Sequence, residues 1–138
     1  MPILNLKVSA TRSPSLTRAL SEGLVDATTR ILRKNPDITA VAIDYVPPED
    51  WIVGGRSLAE HRKASFWLDI KVVDGTNTKD EKALYLAEVF ALMGRLLGDL
   101  HEESYVLVHE VPADAYGFGG LTQEHRYIAN RLRAPLAA

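Results

Sequence analysis

The sequence predicts an α/β fold of the α+β kind: two tandem β-α-β units forming a four-stranded sheet with two helices on one face, each unit followed by a short hairpin. Three observations predict it. Leu4, Asn5, Lys7 and Val8 recur as Leu68, Asp69, Lys71 and Val72, an offset of 64 residues. A loop of the form Val-Pro-x-x-x-aromatic-x-x-Gly-Gly occurs at residues 46–55 and again at 111–120, now offset by 65. Between strand and loop, each copy carries one apolar stripe at helical spacing.

The elements follow in order. Ile3, Leu4, Leu6 and Val8 read as a buried strand. After a turn, Ser13 is placed to cap a helix, and Pro14 suits its first position, where the missing N–H costs nothing. Leu16, Ala19, Leu20, Leu24, Ala27, Ile31 and Leu32 form the stripe of that helix, with Arg18, Glu22, Asp26 and Arg30 mostly opposite; it ends near Asn35-Pro36. Residues 38–46 read as a second strand, running into a Pro-stiffened loop and the Gly54-Gly55 turn. Residues 56–63 are polar and basic and read as a linker. The pattern then restarts with a strand over 66–73. A capping box in Thr78-Lys79-Asp80-Glu81 opens the second helix, whose core stripe is read as Ala83, Leu86, Ala87, Phe90, Met93 and Leu97, with Gly98 as its stop. A strand over 104–111 leads into the second Gly-Gly loop. The units are thus 2–55 and 66–120, and residues 121–138, with Arg126, Tyr127, Ile128, Arg131 and Arg133, read as a tail packed on a neighbouring copy.

A chain of 138 residues with 46% hydrophobic content supports one core shared by both units, hence a single domain. Its 16 basic and 18 acidic residues are interspersed, so no nucleic acid or anionic membrane partner is expected. The absence of cysteine excludes thiol catalysis and thiolate metal sites. No signal segment opens the chain and no apolar run approaches the ~20 residues of a membrane span, which leads to the expectation of a cytoplasmic protein. His61, His101, His109 and His125 show no metal-ligand spacing, and neither a metal nor another cofactor is expected. Alternation alone does not decide which face of the last strand carries His109.

The chemistry is concentrated at the start of the chain. A small second residue favours removal of Met1, after which Pro2 begins the polypeptide as a secondary amine. Burial disfavours the charged form of an amine, lowering its pKa from the ~7.7 to 8.0 of an ordinary α-amino group. A neutral, rigid amine is a general base.

Pro2, the apolar strand behind it, Arg12 and the two Gly-Gly loops closing β-α-β units resemble the tautomerase superfamily, the proteins like 4-oxalocrotonate tautomerase, in the form that carries two units in one chain. The resemblance covers residues 2–120. It implies a homotrimer and a cofactor-free keto-enol tautomerase or isomerase acting on a small carboxylate, a 2-oxo or 2-hydroxy-enoic acid, with Pro2 as general base. The position equivalent to Pro2 in the second copy is Phe66, internal to the chain, so one working amine per chain follows.

The resemblance also implies substrate-binding residues. Arg12 stands where the family places an arginine that grips a substrate carboxylate in a bidentate pair. The pocket at such a proline is completed by the partner unit, whose matching position is Thr76 beside Asn77, so Arg12 serves either the Pro2 pocket or the Phe66 pseudo-site. Where relatives have another arginine early in the second strand, this chain has Ala40 and, in the second unit, Tyr105. A phenol can donate one hydrogen bond to a developing enolate but cannot neutralise it, which weighs against a diacid substrate. Trp51 and Tyr116 occupy the aromatic position before each Gly-Gly turn and would exclude water. Asn5 and Asp69 are matched and read as structural.

Two other readings compete. Relatives that hydrate or dehalogenate haloacrylates, or decarboxylate malonate semialdehyde, use the proline as an acid with paired arginines in the second copy's first turn; this chain has Val73, Thr76 and Asn77 there. A non-catalytic ferredoxin-like binding module shares the β-α-β-β-α-β plan, but the charge balance gives it no basic face for RNA.

Overall fold

The first strand, β1 (Ile3–Val8), turns Leu4, Leu6 and Val8 to the core and Asn5 and Lys7 outward. This structure is a computed structural model and describes residues 2–133. Helix α1 (Pro14–Leu32) starts at Ser13, whose hydroxyl accepts the N–H of Leu16 at 3.3 Å, and has Pro14 in its first turn. It buries Leu20, Leu24, Ala27, Ile31 and Leu32, and the chain returns as β2 (Ala40–Tyr45), parallel to β1. Two short strands, β3 (Ile52–Val53) and β4 (Arg56–Ser57), then pair around the Gly54-Gly55 turn. Both glycines have φ in the left-handed region, +60° and +80°, where a side chain is strained.

The second unit repeats this with β5 (Phe66–Val73), α3 (Lys79–Leu97) and β6 (Tyr105–Val111), after the short helix α2 (Leu58–His61). The hairpin β7 (Gly117–Phe118) and β8 (Leu121–Thr122) follows, and then α4 (Gln123–Arg133). The predicted capping box is formed: Thr78 accepts the N–H of Glu81, and Glu81 accepts that of Thr78.

The sheet order is β2-β1-β5-β6, with the two central strands antiparallel. Asn5 lies opposite Asp69, its own counterpart, so this pair marks the axis that exchanges the two copies. Both helices pack on the face carrying Leu4, Leu6, Val8, Leu68, Ile70 and Val72. At the helix contact, a Cβ on Gly23 would stand 2.7 Å from Leu92 Cδ1, which explains the glycine inside α1.

Two expectations are corrected. Residues 56–61 are not a linker: they are β4 and α2, and they continue the first copy beyond the Gly-Gly turn. In α3 the core face is Tyr85, Val89 and Met93; of the stripe read from sequence, Ala83, Leu86, Ala87 and Phe90 are exposed. Apolar residues surround much of α3, so spacing alone offers two faces. Tyr85 decides between them, because its hydroxyl meets Thr28 of α1 at 2.8 Å. The stretch read as a tail is folded as β8 and α4 as far as Arg133, and Tyr127, Ile128 and Leu132 stand exposed on that helix, open to a neighbouring copy; the remainder of the stretch lies outside the described residues.

Val106 and Val108 pack against the core, which places His109 on the helix-free face of β6. Asp69, buried on that face, pairs with Lys71.

Thr28 donates its own hydroxyl hydrogen to the Leu24 carbonyl at 2.7 Å, so Tyr85 must be the donor between them. Burial pushes the Tyr85 phenol up to about 12. In the unfolded chain it ionises near ~10, so between these values the unfolded state holds fewer protons and the fold loses stability as pH rises. The contribution is whole below the lower value and gone above the upper one, a loss of about 2–3 kcal/mol. Urea unfolding at rising alkaline pH should therefore show a steeper decline for the wild type than for Tyr85→Phe. Parallel declines would contradict the assignment.

Candidate active site

The antiparallel pairing of β1 with β5 brings Pro2, one residue before the Ile3–Lys71 pair, beside the end of β5 and the turn that follows it. Pro2 is buried, and its carbonyl accepts the N–H of Ala40 at 3.2 Å, which pins the ring against the start of β2. It lines a cavity of about 340 Å³ together with Ile38 and Ala40 from its own unit and Tyr116, Phe118 and Gln123 from the second. A larger cavity of about 800 Å³ adjoins it, sharing Ile38, Phe118 and Gln123 and reaching Val73, Thr76 and Arg126. Two carboxylates stand on exposed residues of these walls, Asp37 in the first cavity and Glu124 in the second.

Two residues of α4 dominate the polar part of this space. Gln123 is only 8% exposed, and its Nε2 finds no partner among the described residues. Its backbone N–H donates to the Tyr116 carbonyl at 3.0 Å, fixing the start of α4 over the hairpin. A buried amide left in that state costs about 1–3 kcal/mol, and native structures rarely keep one without a reason.

Arg126 is held in place by the hairpin. Its Nε and Nη2 donate to the Phe118 carbonyl at 3.3 and 2.9 Å, and the guanidinium lies 3.8 Å above the Phe118 ring, a cation–π contact. Gly119 makes room for it: a Cβ there would stand 2.7 Å from Nη2, and its φ of +62° also excludes most side chains. These bonds use two of the five guanidinium N–H donors. Tyr116 is half-buried, and that burial raises its phenol's pKa, so it stays protonated at neutral pH.

The remaining predicted site residues are not gathered here. Arg12 lies beyond the far end of β1, roughly 20 Å of strand away from Pro2, and is exposed. Tyr105 opens β6 opposite Trp67 at that same far end, and its hydroxyl donates to Glu103. Trp51 is there too, its carbonyl accepting the N–H of Leu58 at 2.9 Å. Phe66, at that same end, is fully buried in the core beside Phe90 of α3. Asn77 is near the Pro2 end, but its Nδ2 donates to the Leu32 carbonyl at 3.0 Å and so ties down the end of α1. Thr76 does line the larger cavity, with Lys34 donating to its hydroxyl at 2.9 Å. Register confirms that Ala40 and Tyr105 are matched, since they pair with the matched residues Ile3 and Trp67.

Gln123 and Arg126 were missed because the repeat was followed only to the Gly-Gly turns. Carried on at the same offset of 65, Ser57, Leu58 and His61 match Thr122, Gln123 and Arg126. The structure repeats this pairing: Ser57 and Thr122 each accept a backbone N–H three residues on, and His61 reaches the Val53 carbonyl as Arg126 reaches that of Phe118. Among the described residues no group of three or more histidine or acidic side chains is placed to hold a metal, and no helix is long and apolar enough to cross a membrane.

The sequence model of the family described as "Tautomerase enzyme" matches residues 2–61 and 67–126. The chain belongs to the tautomerase family. Both matched stretches run past the Gly-Gly turn and end at His61 and Arg126, so α2 and the start of α4 are part of the tautomerase unit. A curated relative, "Probable tautomerase K2" of Dickeya dadantii (strain 3937), is 35% identical over 68 residues, covering 46% of this chain and 96% of its own length. That relative has the length of one unit; this tautomerase carries two. Among solved structures, "Q0 fused 4-OT wild type symmetric trimer" is similar with a TM-score of 0.76 at 20% identity, over 88% of this chain and 96% of that one. Leishmania major MIF2 is similar with a TM-score of 0.72 at 17% identity, over 88% and 97%. At such identities these two likenesses establish the fold. Membership of an enzyme family supports tautomerase-type activity for this chain over a ferredoxin-like binding module.

Proposed function

We propose that this protein is a cofactor-free keto-enol tautomerase of 2-oxo and 2-hydroxy-enoic acids, in which Pro2, N-terminal once Met1 is removed, is the general base. The observation that carries this reading is the position of Pro2, buried at one end of a largely apolar cavity built by both units. An amine in such surroundings holds a proton weakly, so at neutral pH it is free to take one. The ring nitrogen accepts the hydroxyl proton of the enol and returns it to carbon, so enol and ketone differ only in where one hydrogen sits. No electron donor or acceptor enters the balance. Ile38, Phe118 and Tyr116 give the cavity an apolar wall, which favours the uncharged amine.

Acid chemistry at Pro2, as in hydration, dehalogenation or decarboxylation, is less well supported. The turn from β5 to α3 offers Val73, Thr76 and Asn77 in place of paired arginines, and a charged proline is poorly solvated in this cavity.

The helix-free face of the sheet supports a trimer like the one named for the fused relative. Tyr105 and Leu107 are 50% and 37% exposed on that face, and Ile3 and Trp67 are half-buried there. Arg12, Tyr105 and Trp51 can reach a Pro2 cavity only from a neighbouring copy, so their proposed part in substrate binding depends on this assembly. Sedimentation equilibrium should give about three times 15.2 kDa; a species of 15.2 kDa at working concentration would remove those three residues from the site.

Turnover of phenylenolpyruvate by Pro2→Ala tests the base itself. Removing a positioned general base costs typically 10²–10⁴-fold, and a loss of at least ~10²-fold in kcat is expected. Unchanged turnover would overturn the assignment of Pro2.

A further inference from the structure

The geometry points to Gln123 and Arg126 as the oxygen-binding subsite of the Pro2 cavity, supplied by the same chain: the buried amide of Gln123 donates to the 2-oxo or enolate oxygen, and Arg126 holds the substrate carboxylate. This inference rests on the proposed reading of Pro2 and adds what that reading lacks, a built-in partner for the negative charge.

The two copies of the unit supply the argument. At the Phe66 end the position of Gln123 is taken by Leu58, fully buried, and that of Arg126 by His61. His61 shows what the structural task of this position is, because its Nε2 meets the Val53 carbonyl at 2.8 Å and so secures the hairpin. That task does not require a permanent cation. Leu58 likewise shows that an apolar side chain fills the neighbouring position. Where the copy starts with Phe66, the matched places carry a buried leucine and a histidine bound to the hairpin. Where it starts with Pro2, the same two places carry an amide and a guanidinium, and a cavity stands open between them and the proline.

Gln123 is the second observation. Its side chain is more than nine-tenths buried, lines both cavities and leaves Nε2 unbonded among the described residues, although a leucine is tolerated in the equivalent place. An acceptor on the substrate would complete it. Proton removal beside a carbonyl builds charge on oxygen, and a donor already held in place stabilises that charge without reorganising. Gln123 lines the cavity that Pro2 lines, whereas Arg126 lines the one beyond, which orders the ligand: reacting carbon at Pro2, oxo group at Gln123, carboxylate at Arg126. The carboxylates of Asp37 and Glu124 also line these walls, and they disfavour a second negative charge. The substrate class that fits is a monocarboxylic 2-oxo acid with an apolar remainder facing Ile38 and Phe118.

The test uses substitutions that the first copy already contains, Gln123→Leu and Arg126→His, with Gln123→Met as a second variant of equal length and Pro2→Ala beside them. Two quantities are read on the full-length protein: kcat/KM for phenylenolpyruvate, and the dissociation constant of the unreactive acid 3-phenylpropanoate against its amide. Gln123→Leu and Gln123→Met should lower kcat/KM by about 10²-fold with thermal stability kept or raised, since an unsatisfied amide is removed. Arg126→His should weaken the acid by roughly tenfold or more at pH 8 while leaving the amide unchanged, so that the preference for acid is lost. If these variants turn over and bind as the wild type does while Pro2→Ala is inactive, the subsite is refuted and the base stands. If Pro2→Ala is fully active, the base is refuted, and the acid-against-amide comparison still decides the subsite.

Discussion

The antiparallel pairing of β1 with β5, centred on Asn5 and Asp69, is the constraint on which the rest depends. Because it runs the two copies in opposite directions, the start of each copy's first strand meets the end of the other's. Pro2 is thereby placed against the closing loop, hairpin and following helix of the second unit and not those of its own. The core reinforces that register: a slip by one residue would turn Leu4, Leu6, Leu68 and Ile70 away from the helices and expose them. A fold built this way necessarily has two equivalent ends.

The ends are equivalent in backbone and opposite in chemistry. The hairpins share left-handed glycines, matched caps and a side chain reaching the same carbonyl, so the frame is duplicated almost residue for residue. At one end Phe66 and Leu58 are both fully buried; the other has a cavity walled by Pro2, Tyr116, Phe118 and Gln123. A backbone nitrogen inside the chain is an amide without basicity, so only the first copy's leading position can offer a basic backbone amine. The second is left to packing, and its aromatic side chain contributes to the core what a proline could not.

The frame was legible in the sequence because its signals are local or strictly periodic. Ser13-Pro14, the capping box at Thr78 and both Gly-Gly turns are each dictated by a few adjacent residues, and each occurs as read. What failed were questions that only tertiary contacts answer. In α3 two apolar faces compete, and the choice is made by a hydrogen bond to α1, invisible to spacing. The linker reading of residues 56–63 followed their polarity, whereas Ser57 and Leu58 are buried. Of the expected site residues, Pro2 and Tyr116 line one cavity, while Arg12, Tyr105 and Trp51 gather at the opposite end. Gln123 and Arg126 were legible in principle, since the 65-residue offset continues through them, but divergence from Leu58 and His61 hides a repeat whose residues have changed chemistry.

The account turns on the state of one nitrogen, and its titration is the most direct measurement. In protein labelled with isotopic proline, the Pro2 ring nitrogen should be followed by NMR across neutral pH. The account predicts a single titration with its midpoint below the ~7.7 to 8.0 of an ordinary α-amino group. A midpoint at or above that range, or a nitrogen that does not titrate because it is still an amide, would contradict it.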